Sequence, residues 1–238
     1  MVSPRVLLVE DDPAVRRFVA LALDPLDIDL VPCATVAEAR RAFDAQVPRL
    51  VLTDLTLPDG SGLDLLAWLQ ARGEAPATQC RTVVFSGAVD TAVAHRLQHL
   101  GVWRVLHKPA SVGALVDCVA AALAHQETPA VAPPACSGPD PVAEFFGGNR
   151  ALYEAYRRAC LAQFSKDLAA GDRAVAAADA PALRLVAHNL KSVMALLGEG
   201  AAAEQARNAE EAAASAALQP MQNHWRQLRS LVQALVAT

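Results

Sequence analysis

The sequence predicts two folds in tandem: an α/β domain with a doubly wound, five-stranded parallel sheet, then an all-α four-helix bundle. Three observations predict it. Residues 4–125 alternate five strand-like apolar runs with five helix-like stretches. Residues 126–141 read QETPAVAPPACSGPDP, hold five prolines and break that alternation. From residue 142 to 238 no strand signal appears, Ala, Leu, Glu, Arg and Gln dominate, and the apolar period is helical. The domain boundaries are therefore set at 1–125, 126–141 and 142–238.

In the first domain the strand candidates are Arg5–Val9, Ile28–Cys33, Arg49–Thr53, Thr82–Phe85 and Val102–Leu106. Each precedes a helix candidate: Pro13–Leu23, Thr35–Gln46, Gly62–Ala71, Thr91–Leu100 and Ser111–His125. Repeats of this length imply parallel strands with helices on both faces of the sheet. Pro13 suits a first helical turn, and Thr35 followed by Glu38 suits a capping box. The proline-rich stretch favours an extended, solvated backbone and is read as a linker; fully extended it spans roughly 50 Å. In the last domain the expected helices are Arg150–Ala170, Pro181–Leu197, Ala201–Ala217 and Pro220–Val236, punctuated by Gly171, Gly198, Gly200 and Pro220.

Composition narrows the function classes. With 238 residues, of which 53% are hydrophobic, packed cores are affordable. A net charge of -4 and the lack of a basic stripe point away from a nucleic-acid partner. The first residues, MVSPRVLLVEDD, lack a signal-peptide layout. The longest apolar stretch, Val112 to Ala124, is broken by Asp117, so no membrane insertion is expected. Five scattered cysteines (Cys33, Cys80, Cys118, Cys136, Cys160) without zinc-ligand spacing fit free thiols in a reducing cytoplasm.

The first domain's chemistry gathers where its strands end. Strand 1 delivers Glu10 and Asp11, strand 3 Asp54, strand 4 Ser86 and strand 5 Lys108. In open α/β sheets ligands bind at that carboxyl edge. Adjacent acids repel unless a hard cation lies between them, and magnesium, which prefers oxygen ligands, suits Glu10, Asp11 and Asp54. Lys108 and Ser86 are placed to hold the oxygens of a phosphoryl group, and Asp54 to be the nucleophile that receives it. A haloacid-dehalogenase-type phosphatase also uses a strand-end Asp, but it needs a second Asp two residues on, where Thr56 stands.

LLVEDDP, LVLTDLTLPDGSGLDLL, VVFSG and HKP, in this order, resemble the receiver domain of bacterial response regulators, a flavodoxin-like fold. The resemblance covers residues 4–125. It implies that Asp54 is phosphorylated from a partner's phosphohistidine, that Glu10 and Asp11 are the acidic pair, and that Ser86 and Lys108 are the family's hydroxyl and lysine. One departure concerns the aromatic residue usual three positions before the lysine: Val105 stands there, and Trp103 lies two residues earlier.

The informative stretch of the second domain is LRLVAHNLKSVMALLG, Leu183 to Gly198. Leu183, Val186, Leu190, Val193 and Leu197 form its buried stripe. His188 lies off that stripe, with Arg184, Lys191, Ser192 and Ala195 as helical neighbours. Small neighbours are expected to leave the imidazole open to a partner, and basic ones to favour a phosphoryl group. A neutral imidazole is a competent nucleophile toward phosphorus. Ala187-His188, Leu190-Lys191, Ser192 and Gly198 look like the core motif of a histidine phosphotransfer (HPt) domain, with Ser192 where Gly is common. This resemblance implies His188 as a second phosphoacceptor and Lys191 as its stabilising cation.

No ATP-binding loop appears, so the chain is expected to be a phosphoryl carrier and not an enzyme with its own kinase activity. The expected partners are a sensor histidine kinase or hybrid kinase upstream and a response regulator downstream. An alternative is an adaptor whose receiver only regulates or binds, with His188 serving external partners in parallel.

Overall fold

A computed structural model describes residues 3–72, 80–87, 89–124 and 140–237. The chain divides into two compact units, Met1–Ser137 and Gly138–Thr238. The expected linker lies, up to residue 139, outside the described residues, as do Cys136 and His125. The other four cysteines are free thiols.

The first unit runs β1 (Arg5–Val9), α1 (Pro13–Leu23), β2 (Asp29–Cys33), α2 (Val36–Ala45), β3 (Leu50–Thr53), β4 (Thr56–Leu57), β5 (Gly60–Ser61), α3 (Gly62–Ala71), β6 (Arg81–Ser86), α4 (Thr91–His99), β7 (Arg104–His107) and α5 (Val112–Leu123). Five strands form one parallel sheet in the order β2-β1-β3-β6-β7. The two-residue strands β4 and β5 form a small antiparallel hairpin directly after β3.

Side chains alternate across the central strands. Leu7, Val9 and Val51 pack against Val36, Ala39 and Phe43 of α2 and Leu65 and Leu69 of α3. Val6, Leu8, Leu50 and Leu52, also fully buried, face the other side, where α1 and α5 pack together. The central strands are thus buried on both faces, as a parallel sheet requires. Local signals start the helices. The Asp12 side chain accepts from Ala14 N and Val15 N at the head of α1. Thr35 Oγ1 accepts from Glu38 N, while Glu38 reaches back to Ala34 N instead of Thr35 N. Ser61 and Asp64 complete a capping box on α3.

The second unit is helical: α6 (Pro141–Phe146), α7 (Arg150–Ala176), α8 (Ala180–Leu197), α9 (Gly200–Ala214) and α10 (Leu218–Val236). α7 packs on α8 and α10, α9 packs on α8 and α10, and α6 lies against α7 and α8. Two features depart from expectation. Pro141 opens a short helix, capped by Asp140, whose side chain accepts from Val142 N. Gly171 does not end a helix, because α7 runs on to Ala176. A Cβ at Gly171 would lie 2.1 Å from the Trp225 ring, so the glycine serves close helix approach and not termination. Trp225 donates from Nε1 to Asp172 Oδ1 at 2.9 Å and is fixed there. Pro220 falls within the first turn of α10, where a missing N–H costs nothing.

Candidate functional site

Backbone hydrogen bonds beyond the strand ends align the first site. Glu10 N donates to Cys33 O, Asp54 N to Val9 O and Lys108 N to Ser86 O. Residues far apart in sequence are thereby set side by side at the carboxyl edge. Glu10 and Asp54 are each 1% exposed and Lys108 is 9% exposed. Lys108 Nζ lies 2.5 Å from Glu10 Oε2 and 2.6 Å from Asp54 Oδ2, and 5.1 Å from the centre of the Phe85 ring. Asp54 Oδ1 accepts from Leu55 N at 2.5 Å and Thr56 N at 3.3 Å. Ser86, 2% exposed, closes β6 at the same edge.

The electrostatics follow from burial and pairing. Burial pushes the Glu10 carboxyl up to about 8; Lys108 works against that rise and Asp54 adds to it. Burial disfavours the Lys108 ammonium, but Glu10 and Asp54 outweigh it and hold Lys108 above the ordinary lysine range. Glu10, Asp11 and Asp54 each present a carboxylate oxygen within 4.8 Å of the others. This donor set, hard oxygens on half-buried to buried carboxylates, fits magnesium, which keeps some waters of its own.

The loop after Asp54 is held at several points. Asp59 receives Val36 N at 2.8 Å and Ala37 N at 2.9 Å, and so clasps the start of α2. Burial is the largest single influence and opposes its charge, but the backbone donors and Arg40 together outweigh it and lower the Asp59 pKa. Gly62 N donates to Leu55 O at 3.0 Å. A Cβ at Gly62 would fall 2.0 Å from the Asp54 carbonyl oxygen, so only glycine lets α3 begin this close to the end of β3.

Val105 is half-buried and packs against the cluster of Leu63, Leu66, Val84 and Leu97. The nearest aromatic, Trp103, is occupied elsewhere: the guanidinium groups of Arg81 and Arg104 lie 4.9 Å and 4.5 Å from its ring centre.

In the second unit His188 Nδ1 lies 2.8 Å from Glu210 Oε1, and Lys191 Nζ lies 2.5 Å from Glu210 Oε2. The expectation of an open imidazole is corrected: His188 is 6% exposed, and Ser192 beside it is buried as well. The physical reason lies in the small residues. Ala187 and Ser192 on α8 and Ala202, Ala206, Ala209 and Ala213 on α9 are all buried, the two helices pack together, and short side chains let helices approach closely. Of the two small neighbours read as open to a partner, Ser192 is buried and Ala195 half-buried, and the His188 ring faces Glu210 of α9. Glu210 escaped sequence reasoning because it sits in an Ala-rich run beside a second glutamate, Glu211, and only the helical phase tells them apart: Glu210 is half-buried and Glu211 exposed.

Burial opposes the Glu210 charge, but hydrogen bonds from His188 and Lys191 outweigh it and hold the carboxyl down to about 2, against an ordinary 4.5. A depressed carboxyl contributes stability above its unfolded pKa and loses it as pH falls through the folded one. The second unit is therefore expected to lose thermal stability as pH drops from 4.5 to about 2. Melts followed by far-UV ellipticity check this: Glu210→Gln should be less stable near neutral pH and converge on wild type at the acid end. Parallel curves would sink the assignment.

Among the described residues, no helix is long and apolar enough to cross a membrane. Similarity to known proteins bears on the first unit's site. The response regulator protein PilR of Pseudomonas aeruginosa is 35% identical over 123 residues, covering 52% of this chain and 27% of PilR. The chain thus spans well under two thirds of that relative. The photosynthetic apparatus regulatory protein RegA of Rhodovulum sulfidophilum is 33% identical over 132 residues, covering 56% of this chain and 67% of RegA. The solved signal receiver domain of a putative Luxo repressor protein from Vibrio parahaemolyticus is 27% identical, covers 52% of this chain and 92% of that one, and superposes with a TM-score of 0.48. Residues 6–120 match the family model of the response regulator receiver domain, and through them the chain belongs to that family.

Proposed function

We propose that the chain is a phosphorelay protein of two-component signalling, which accepts a phosphoryl group on Asp54 and carries one on His188. The observation that carries the reading is Asp54 itself: a buried carboxylate at the end of β3, bonded to Lys108 and adjoining Glu10 and Asp11. Asp54 attacks the phosphorus of a partner's phosphohistidine; an O–P bond forms, the N–P bond breaks, and the partner's imidazole leaves. Lys108 turns from the carboxylates to a phosphoryl oxygen, and Ser86 donates its hydroxyl to another. Magnesium held by Glu10, Asp11 and Asp54 supplies charge neutralisation for the phosphoryl group. The chain supplies no ATP chemistry of its own. The donor is a sensor histidine kinase or hybrid kinase, and the final acceptor a response regulator.

The division into a receiver at 1–125, a linker at 126–141 and an HPt bundle at 142–238 belongs to this reading. The cyclic packing of α7, α8, α9 and α10 supports the four-helix bundle. Lys191, 2.5 Å from Glu210, is the basic residue nearest to His188 in sequence and is assigned to the phosphoryl oxygens. Transfer requires that the imidazole be uncovered when a partner docks.

The burial of His188 favours a second reading, in which the helical unit is a binding module that carries no phosphoryl group. Phosphotransfer profiling of the full chain with wild type, Asp54→Asn and His188→Gln separates the readings. The relay predicts acid-labile label on His188 in wild type. Loss of that label in Asp54→Asn means relay in series, and its persistence means parallel use. No label on His188 from any donor leaves the binding module standing.

A further inference from the structure

Three acids in a row, Glu10, Asp11 and Asp12, lead the chain from β1 into α1. Each carboxylate has a different neighbourhood. Glu10 meets Lys108 at 2.5 Å, Asp12 caps α1 through Ala14 N and Val15 N, and Asp11, half-buried, turns an oxygen toward those of Glu10 and Asp54. The main chain on either side of Asp11 is held in all three peptide units. The Glu10 carbonyl, in the unit before Asp11, accepts from Nη1 of Arg16. Asp12 N, in the unit after it, donates to Glu10 Oε1 at 3.4 Å. The Asp12 carbonyl accepts from Arg16 N at 2.9 Å. Arg16 thus closes the acidic turn twice. Its backbone bond is the ordinary one of a helix start, which any residue but proline would make. Its guanidinium bond needs a long side chain that always carries a donor. The Arg16 stem lines a groove with Leu8, Pro13, Leu30 and Pro32. Such an apolar wall supports the stem while the charged head reaches the carbonyl.

We propose that Arg16 is a positioning residue for magnesium: its guanidinium locks the peptide unit between Glu10 and Asp11, and so aims the Asp11 carboxylate at the oxygens of Glu10 and Asp54. The proposal rests on the reading that these three carboxylates hold the metal. Arg16 acts through the Glu10 carbonyl and needs no contact with the ion. Without that bond the peptide unit is free to rotate, and part of the free energy of metal binding goes into ordering the turn. The effect is therefore on affinity. Once the metal is bound, phosphoryl uptake depends on Asp54, Lys108 and Ser86, to which Arg16 makes no hydrogen bond among the described residues.

The test uses the full chain with Arg16→Met, Arg16→Lys and, as a control, Arg17→Met, since Arg17 is exposed on the wall of the same groove. Methionine keeps much of the stem and donates nothing, whereas lysine keeps a cationic donor of nearly the same reach. Magnesium is titrated without any phosphodonor and followed by calorimetry and by the backbone amide signals of Asp11 and Asp12. Arg16→Met is expected to raise the magnesium Kd roughly 10- to 100-fold, the range for losing an outer partner of a metal ligand, and to displace the metal-free Asp11 signal. Arg16→Lys should restore most of the affinity, and Arg17→Met should match wild type. Uptake on Asp54 from a small acyl phosphate should slow in Arg16→Met at limiting magnesium and return close to the wild-type rate at saturating magnesium. A merely structural role would lower the urea midpoint and give no such recovery. If Arg16→Met does not fold, Arg16→Gln, whose amide stops short of the Glu10 carbonyl, takes its place. Unchanged magnesium affinity in the folded variant, or an equal loss in Arg17→Met, overturns the proposal alone. No magnesium response in wild type is a different failure, that of the metal reading, and the proposal falls with it.

Discussion

Asp54→Asn is expected to leave the first unit folded and unable to take up phosphoryl label. The substitution keeps the shape of the side chain. Its carbonyl oxygen can go on accepting from Leu55 N and Thr56 N, which now bond Oδ1 at 2.5 Å and 3.3 Å. Lys108 keeps Glu10 as a charge partner at 2.5 Å. A neutral amide is no nucleophile toward phosphorus, and one of the carboxylates available to magnesium is gone. Label from a small acyl phosphate with magnesium should fall to background while the urea midpoint stays close to wild type. Undiminished label in a folded variant would mean that the acceptor of this unit is another residue.

Lys108→Met should destabilise that unit by roughly 3–5 kcal/mol, the usual cost of removing one partner from a buried ion pair. Glu10 and Asp54, each 1% exposed, would face each other without their shared cation. Methionine preserves most of the stem volume, so the loss reports charge more than packing. Two further outcomes follow. Magnesium should restore more stability to the variant than it adds to wild type, because a divalent cation replaces the missing charge. The loss should also shrink as pH falls, since burial favours the neutral form of Glu10, which then takes up a proton and stops repelling Asp54. Urea unfolding with and without magnesium measures both. A loss below roughly 1 kcal/mol in metal-free buffer, the range of an exposed pair, would refute the buried-pair account.

The first unit was legible because its signals are local and repeat. Four of the five apolar runs lead into a candidate site residue, and a parallel sheet forces those ends together. The sequence therefore placed Glu10, Asp11, Asp54, Ser86 and Lys108 at one edge without any knowledge of distances. What escaped notice depends on contacts between elements. Gly171 reads as a helix stop in one dimension, and only the Trp225 ring lying over it explains why the helix continues. Pro141 and Asp140 carry an ordinary helix start, but it lay hidden at the end of a proline-rich run. The face around His188 looked open because small residues were counted as space. In a bundle, small residues are where a neighbouring helix comes closest, and that neighbour brought Glu210.

The clasp of Asp59 on α2 and the tight seat of Gly62 under the Asp54 carbonyl have a thermodynamic consequence. Fixing a residue's backbone costs on the order of 1–2 kcal/mol of conformational entropy. For the segment behind the proposed acceptor, Asp54, that cost is met during folding and not at the encounter with a donor. Its main chain is preorganised, so the arriving group meets a target that needs only side-chain rotation. Under the proposed function, the pace of the reaction is then left to the partner's collision and to the cation exchange around Lys108.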